Sequence, residues 1–201
     1  MSTRSLAKLL QEVRACRICE EYLPLGPNPV LRASNTARIL VIGQAPGTRV
    51  HQTGIPWNDP SGDRLRDWMQ LDREHFYDEQ QLAIIPMGLC YPGKGKSGDL
   101  PPRPECAPQW HARLLAELPA LKLTILIGQY AQQYYLNTRR RTLADTVRDW
   151  QACLPAYFPL PHPSPRNIRW FRNNPWFAAE VLPAFRQQIG DALDNTRINR
   201  G

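Results

Sequence analysis

No stretch of this 201-residue chain is apolar for long enough to cross a membrane, and no signal peptide stands at its start. These absences argue against a membrane-spanning helical protein and predict a soluble, cytoplasmic one. Internal repeats are missing as well, which argues against architectures built by stacking units. Acidic residues are in short supply, 18 against 25 basic ones, which leaves a net charge of +7 and a pI near 9.4. That balance suits a polyanionic partner. The 20 prolines and six tryptophans, in a chain that is 42% hydrophobic, predict long ordered loops rather than disorder. A chain of this length predicts one domain, residues 1–201, with a real core and a frayed tail over 191–201.

Short apolar runs bounded by glycine or proline predict strands at Ile39–Ile42, Leu82–Ile85, Leu123–Ile127 and Tyr157–Leu160. Amphipathic periodicity predicts helices over 4–15, 62–70, 108–118, 131–136 and 175–193, with a turn or short helix over 143–150. Strands alternating with helices give an α/β fold, a three-layer sandwich around a four-stranded parallel sheet. Residues 86–108 form a long loop that carries Lys94, Lys96 and Arg103 among glycines and prolines. Such a loop is either solvated surface or a phosphate contact. The basic run Arg139–Arg141 is a solvated face or a DNA contact.

Two stretches carry the chemistry. The first is Arg38–Arg64, in which a buried strand breaks at Gly43-Gln-Ala-Pro-Gly47 and continues through Trp57, Asn58, Asp59 and Ser61-Gly62 into a helix. In α/β proteins the loop beyond a strand's carboxyl end is where ligands sit. On its own the glycine-bounded turn fits a plain strand exit equally well. The second stretch, His162-Pro-Ser-Pro-Arg-Asn167, likewise follows a predicted strand. Asp59 fits a helix N-cap as well as a functional carboxylate. Cys16-Arg-Ile-Cys19, Cys90 and Cys106 supply four thiols from two regions, which fits zinc, an iron–sulfur cluster or unliganded buried thiols. Cys153 stands outside that set and reads as a small apolar filler.

Taken together, the two stretches resemble the uracil-DNA glycosylase superfamily. Gly43–Gly47 matches its first motif and His162–Ser164 its second, and the resemblance covers roughly residues 10 to 190. It implies a DNA repair glycosylase with a flipped base in a pocket. The partner would be DNA containing a damaged base, and the enzyme would act as a monomer. The four cysteines match the iron–sulfur members, often called family 4, which implies a [4Fe–4S] cluster on Cys16, Cys19, Cys90 and Cys106. Its role would be to fasten the N-terminal segment to the long loop.

The resemblance also distributes roles. His162 corresponds to the histidine that contacts the base carbonyl as charge builds there. Gly43, Ala45, Pro46 and Gly47 would line the base site, with Asn58 and Ser61 beside it. Trp57 takes the place of the Phe that stacks on the flipped base. Ser164, Lys94 and Lys96 are the expected phosphate contacts, and Trp170, Phe171 and Arg172 extend that surface. Arg166 stands where family 1 carries its wedge.

Three departures bear on the chemistry. Family 1 has its water-activating Asp where this chain has Ala45. Family 4 has a Glu where this chain has Gln44, which orients water but takes no proton. Family 5 has an Asp before Ser-Gly, which Asp59 resembles at a spacing one residue short. Asp59 is therefore the expected water-orienting carboxylate. Pro86 replaces the Asn that reads uracil in family 4, which opens the choice of base. Because no lysine is placed to form a Schiff base, the expected enzyme is monofunctional. Gln44 and Pro86 also keep a second reading open, a non-catalytic or altered-substrate nucleic-acid-binding protein on the same fold.

Overall fold

Strand β1, Ile39–Ile42, is buried along its whole length and carries the fold. In the computed structural model it is hydrogen-bonded on one side to β2 (Leu82–Ile84) and on the other to β5 (Leu123–Ile127), and β6 (Tyr157–Leu160) completes the sheet. The order is β2-β1-β5-β6 and every pairing is parallel, with Leu40 level with Ala83 on one side and Thr124 on the other. The structure describes residues 3–96, 98–136 and 142–193. The run Arg139–Arg141 and most of the expected tail lie outside the described residues. Residues 191–193 are helical.

Parallel neighbours cannot be joined by tight turns, so each connection is a crossover. Between β1 and β2 run α2 (Thr48–Thr53), α3 (Pro60–Met69) and α4 (Arg73–Phe76). Between β2 and β5 lie a two-stranded antiparallel ribbon, β3 (Lys94–Gly95) with β4 (Gly98–Asp99), and helix α5 (Cys106–Ala116). Helices α6 (Gln129–Leu136) and α7 (Leu143–Arg148) lead to β6. After β6 come α8 (Ile168–Asn173), a π turn (Phe177–Val181) and α9 (Leu182–Leu193), while α1 (Thr3–Arg14) precedes the sheet.

Alternation along β1 divides the core in two. Ile39 and Val41 face Leu65 and Met69 of α3 with Phe185 and Ile189 of α9. Leu40 and Ile42 face Leu9 and Val13 of α1 with Trp110 and Leu114 of α5. Each such side chain contributes roughly 1.5–3 kcal/mol on burial. The result is the expected three-layer α/β sandwich.

Several expectations are corrected. The polar stretch between the first motif and Trp57 is not all loop, since residues 48–53 form α2. The helix has one buried residue, Val50, so its polar sequence shows no apolar stripe, and it stops at Gly54, whose φ of +67° makes a left-handed cap. The long loop after β2 is not simply solvated, since Leu89 and Tyr91 are buried and β3–β4 folds back on itself. Trp170 and Phe171 are not simply surface residues but half-buried. They pack edge-on with Trp68 and Phe177 against the core.

Candidate active site

A cavity of about 410 Å³ opens beyond the carboxyl ends of β1, β2 and β6. The first motif forms its floor. Met87 N–H donates to the Gly43 carbonyl and Gly88 N–H to the Gln44 carbonyl, both at 2.9 Å, so the exits of β1 and β2 are zipped together. Gln44 Nε2 donates to the Leu100 carbonyl at 2.9 Å, which ties the β3–β4 ribbon to the same turn. Gly43, Gln44, Ala45, Pro46 and Gly47 all line the cavity, as do Trp57, Asp59, Ser61, Pro86, His162, Ser164 and Arg166.

Trp57 is held in an unusual way. Its φ is +55°, a conformation that bulky residues rarely adopt. Both flanking carbonyls are fixed: Tyr77 Oη donates to Pro56 O at 2.8 Å and Arg66 Nη1 to Trp57 O at 3.2 Å. Arg66 is itself buried, paired with Asp63 and bonded to Tyr77. The indole lies over Gly43, where an added Cβ would stand 2.8 Å from the ring, and against the His162 imidazole at 5.6 Å between centroids. Gly62 has to lack a side chain, because a Cβ there would sit 1.7 Å from the Trp57 carbonyl.

Asp59 is placed for both of its expected readings. It is the N-cap of α3, with Gly62 N–H donating to Oδ1 at 2.8 Å, and it lines the cavity. Its charge also reaches His162. Burial lowers the His162 pKa, which favours the neutral imidazole, and the nearby Asp59 carboxylate opposes that shift. Asn167 Nδ2 donates to the His162 carbonyl at 2.8 Å. Arg64 of α3 donates to the Ser164 carbonyl at 3.1 Å, so α3 ties the second motif to the Trp57 turn.

Asn58 is absent from the cavity wall, and its Oδ1 accepts from Arg73. Lys94 and Lys96 sit on the ribbon rather than in the lining. Ser164 Oγ accepts from Arg166 N–H at 3.2 Å, capping a short 3-10 turn. Sequence reasoning missed Asp99, a second carboxylate in the lining. Nothing local marks it, since it is one acidic residue in a Gly-rich loop.

The cysteines come together elsewhere. Cys16, Cys19, Cys90 and Cys106 line one small pocket with Leu23, Leu89 and Trp110. Burial pushes the Cys90 thiol up to about 11 and the Cys106 thiol up to about 12, so both are protonated at pH 7. Leu89 N–H points at Cys106 Sγ, 3.3 Å away. Among the described residues, no three His, Cys, Asp or Glu side chains form a group able to hold a metal ion.

A family model, Uracil DNA glycosylase superfamily, matches residues 32–186. The chain belongs to the uracil DNA glycosylase superfamily. The matched segment contains the first motif, His162 and strands β1 to β6, and it leaves out Cys16 and Cys19. Superfamily members act on DNA, which agrees with the basic charge. A solution NMR structure of a Methanosarcina acetivorans protein, named provisionally as a uracil DNA glycosylase, is among the solved structures to which this chain is similar. Its identity is 16% and its TM-score 0.45, over 80% of this chain and 98% of that one. No helix among the described residues is long and apolar enough to cross a membrane.

Proposed function

We propose that this chain is a monofunctional DNA glycosylase that hydrolyses the N-glycosidic bond of uracil or another deaminated base. The observation that carries this reading is the meeting of Trp57, Asp59 and His162 around one open cavity. A base leaves its sugar through a transition state with positive charge on the sugar and negative charge on the base. The flipped base stacks on Trp57. His162 donates to the base carbonyl as that charge grows, and a neutral imidazole keeps its proton while doing so. Asp59, fixed by Gly62, offsets the sugar's positive charge. Arg166 and Ser164 sit at the rim, where the phosphate backbone would run.

The choice of base is not made by an amide at the exit of β2. Pro86 has no N–H, and its carbonyl accepts from His111 Nε2 at 3.1 Å. The next two N–H groups are committed to Gly43 and Gln44. That wall selects by shape, which admits bases other than uracil. One observation favours the second reading, a binding protein without turnover: the Gln44 amide nitrogen is already engaged.

In this proposal the four cysteines hold a [4Fe–4S] cluster. Four thiols in one apolar pocket, with a backbone N–H aimed at a sulfur, fit such a cluster. A zinc ion is the alternative occupant of the same four thiols. When bound, it fastens residues 16–19 to the loop after β2.

The test is a base-release assay on oligonucleotides carrying uracil, hypoxanthine or xanthine, single-stranded and paired, with His162→Ala beside the wild type. Abasic product from the wild type and a loss of about 10²–10³-fold in the variant support the reading. If the wild type forms no product but still binds DNA, the binding protein is the correct account.

A further inference from the structure

The three positions at which relatives activate water hold Ala45, Gln44 and Asp59. Ala45 has no polar group, Gln44 takes no proton, and Asp59 already caps α3 through one oxygen. The β3–β4 ribbon supplies what is missing. The Gln44–Leu100 bond lays the ribbon on the motif turn, and Leu100 N–H donates to the Gly93 carbonyl at 2.8 Å to close its base. This brings the Asp99 carboxylate against Gly47, where an added Cβ would meet Oδ2 at 3.4 Å. Asp99 therefore borders the cavity that holds Asp59 and His162. Arg166 reaches the same corner, with Nη1 3.1 Å from where a Cβ of Gly98 would be.

We propose that Asp99 is the general base of this site, the carboxylate that takes a proton from the attacking water. The inference rests on the glycosylase reading above. In the step, the water oxygen forms a bond to the sugar C1′ as the bond from C1′ to the base nitrogen breaks. The electron pair of that bond leaves with the base, whose carbonyl His162 holds, and the water proton passes to Asp99. Asp59 lies beside the sugar. The charged groups facing Asp99 are Arg166, Asp59 and Lys94. Partial burial raises its pKa and Asp59 adds to the rise, while Arg166 and Lys94 oppose it. That direction improves a carboxylate as a proton acceptor near neutral pH.

The experiment is single-turnover base release as a function of pH on whichever substrate the wild type cleaves, with Asp99→Asn, Asp99→Ala and Asp59→Asn. DNA affinity is measured in parallel on an oligonucleotide carrying a non-hydrolysable nucleotide analogue. Asp99→Asn is expected to lose about 10²–10⁴-fold in rate with DNA affinity retained. It should also lose the fall in rate at acid pH. Asp99→Ala should regain rate with added formate, a small base that fits the vacated space, whereas a residue needed only for folding or for holding Arg166 would not be rescued. Asp59→Asn should slow the reaction but keep the acid limb. Asp99→Asn within about threefold of an active wild type, or no rescue of a slowed Asp99→Ala, overturns the assignment and leaves the glycosylase reading standing. A wild type that releases no base from any substrate removes both.

Discussion

Trp57 and His111 show how single residues set the properties of the site. Trp57 keeps a backbone conformation that costs of order 1–3 kcal/mol, and hydrogen bonds to the carbonyls on either side hold it there. The return is an indole already in place beside His162 before any base arrives. His111 acts from behind the wall. It is 2% exposed, and because its Nε2 must donate to the Pro86 carbonyl, its Nδ1 accepts from the Tyr135 hydroxyl at 2.6 Å. Burial lowers its pKa from 6.5 to about 4. Between those values the unfolded chain takes up a proton that the folded chain refuses, so stability falls as pH drops through that window. The loss amounts to about 3 kcal/mol by pH 4. Urea midpoints at pH 7 and pH 4.5 are expected to differ markedly less in His111→Gln than in the wild type. An unchanged difference would mean that His111 does not titrate as its burial implies.

Helix α3 is the element on which the site depends most. It starts at a capped Asp59 with Pro60 in its first turn, where a missing N–H costs nothing. Its second turn places Arg64 on the Ser164 carbonyl and Arg66 under Trp57. Arg66 is a buried guanidinium that bridges α3, the Trp57 loop and Tyr77. Arg66→Met keeps most of the stem and removes the donors. It is expected to destabilise the fold by about 1–3 kcal/mol, since Asp63 stays solvated but the Trp57 carbonyl loses its partner. Base release should fall by more than the loss of folded protein explains, and Tyr77→Phe should show a milder form of the same pattern. Thermal melts paired with single-turnover rates check this. A rate that merely tracks the folded fraction would show that Trp57 does not depend on Arg66 for its position.

Across the whole molecule, two remote segments meet at the cysteine pocket. Residues 16–19 follow α1, while Cys90 and Cys106 bracket the loop whose ribbon carries Asp99. A bound cluster would join these segments across a long closed loop, which constrains the unfolded chain. Cys106→Ser, purified without oxygen, is expected to lose visible colour and iron and to melt at a lower temperature. If the cluster only fastens these segments, as proposed, the folded variant should keep most of its base-release rate per molecule. A colourless wild type, or a variant equal to it in stability and iron content, would remove the cluster from the account.

Much of this was legible in order along the chain. The strands could be read because a buried parallel strand is a short apolar run, and that is a local property. The two motifs could be read because each is a contiguous stretch at a strand exit. Asp59 could be seen as both cap and site residue, since one carboxylate has oxygens for both. Helix α2 could not be read, because a short helix with one buried residue carries almost no periodic signal. The inward packing of Trp170 and Phe171 was equally hidden, since an aromatic pair after a basic loop looks the same whichever way it faces. Asp99 was hidden for a different reason. It lies 40 residues beyond Asp59 in the sequence, and it reaches the cavity because Gln44 draws in the ribbon. Local chemistry determined which strands, turns and motifs this chain has. Which side chains share one cavity was decided by long-range hydrogen bonds between segments that no local pattern brings together.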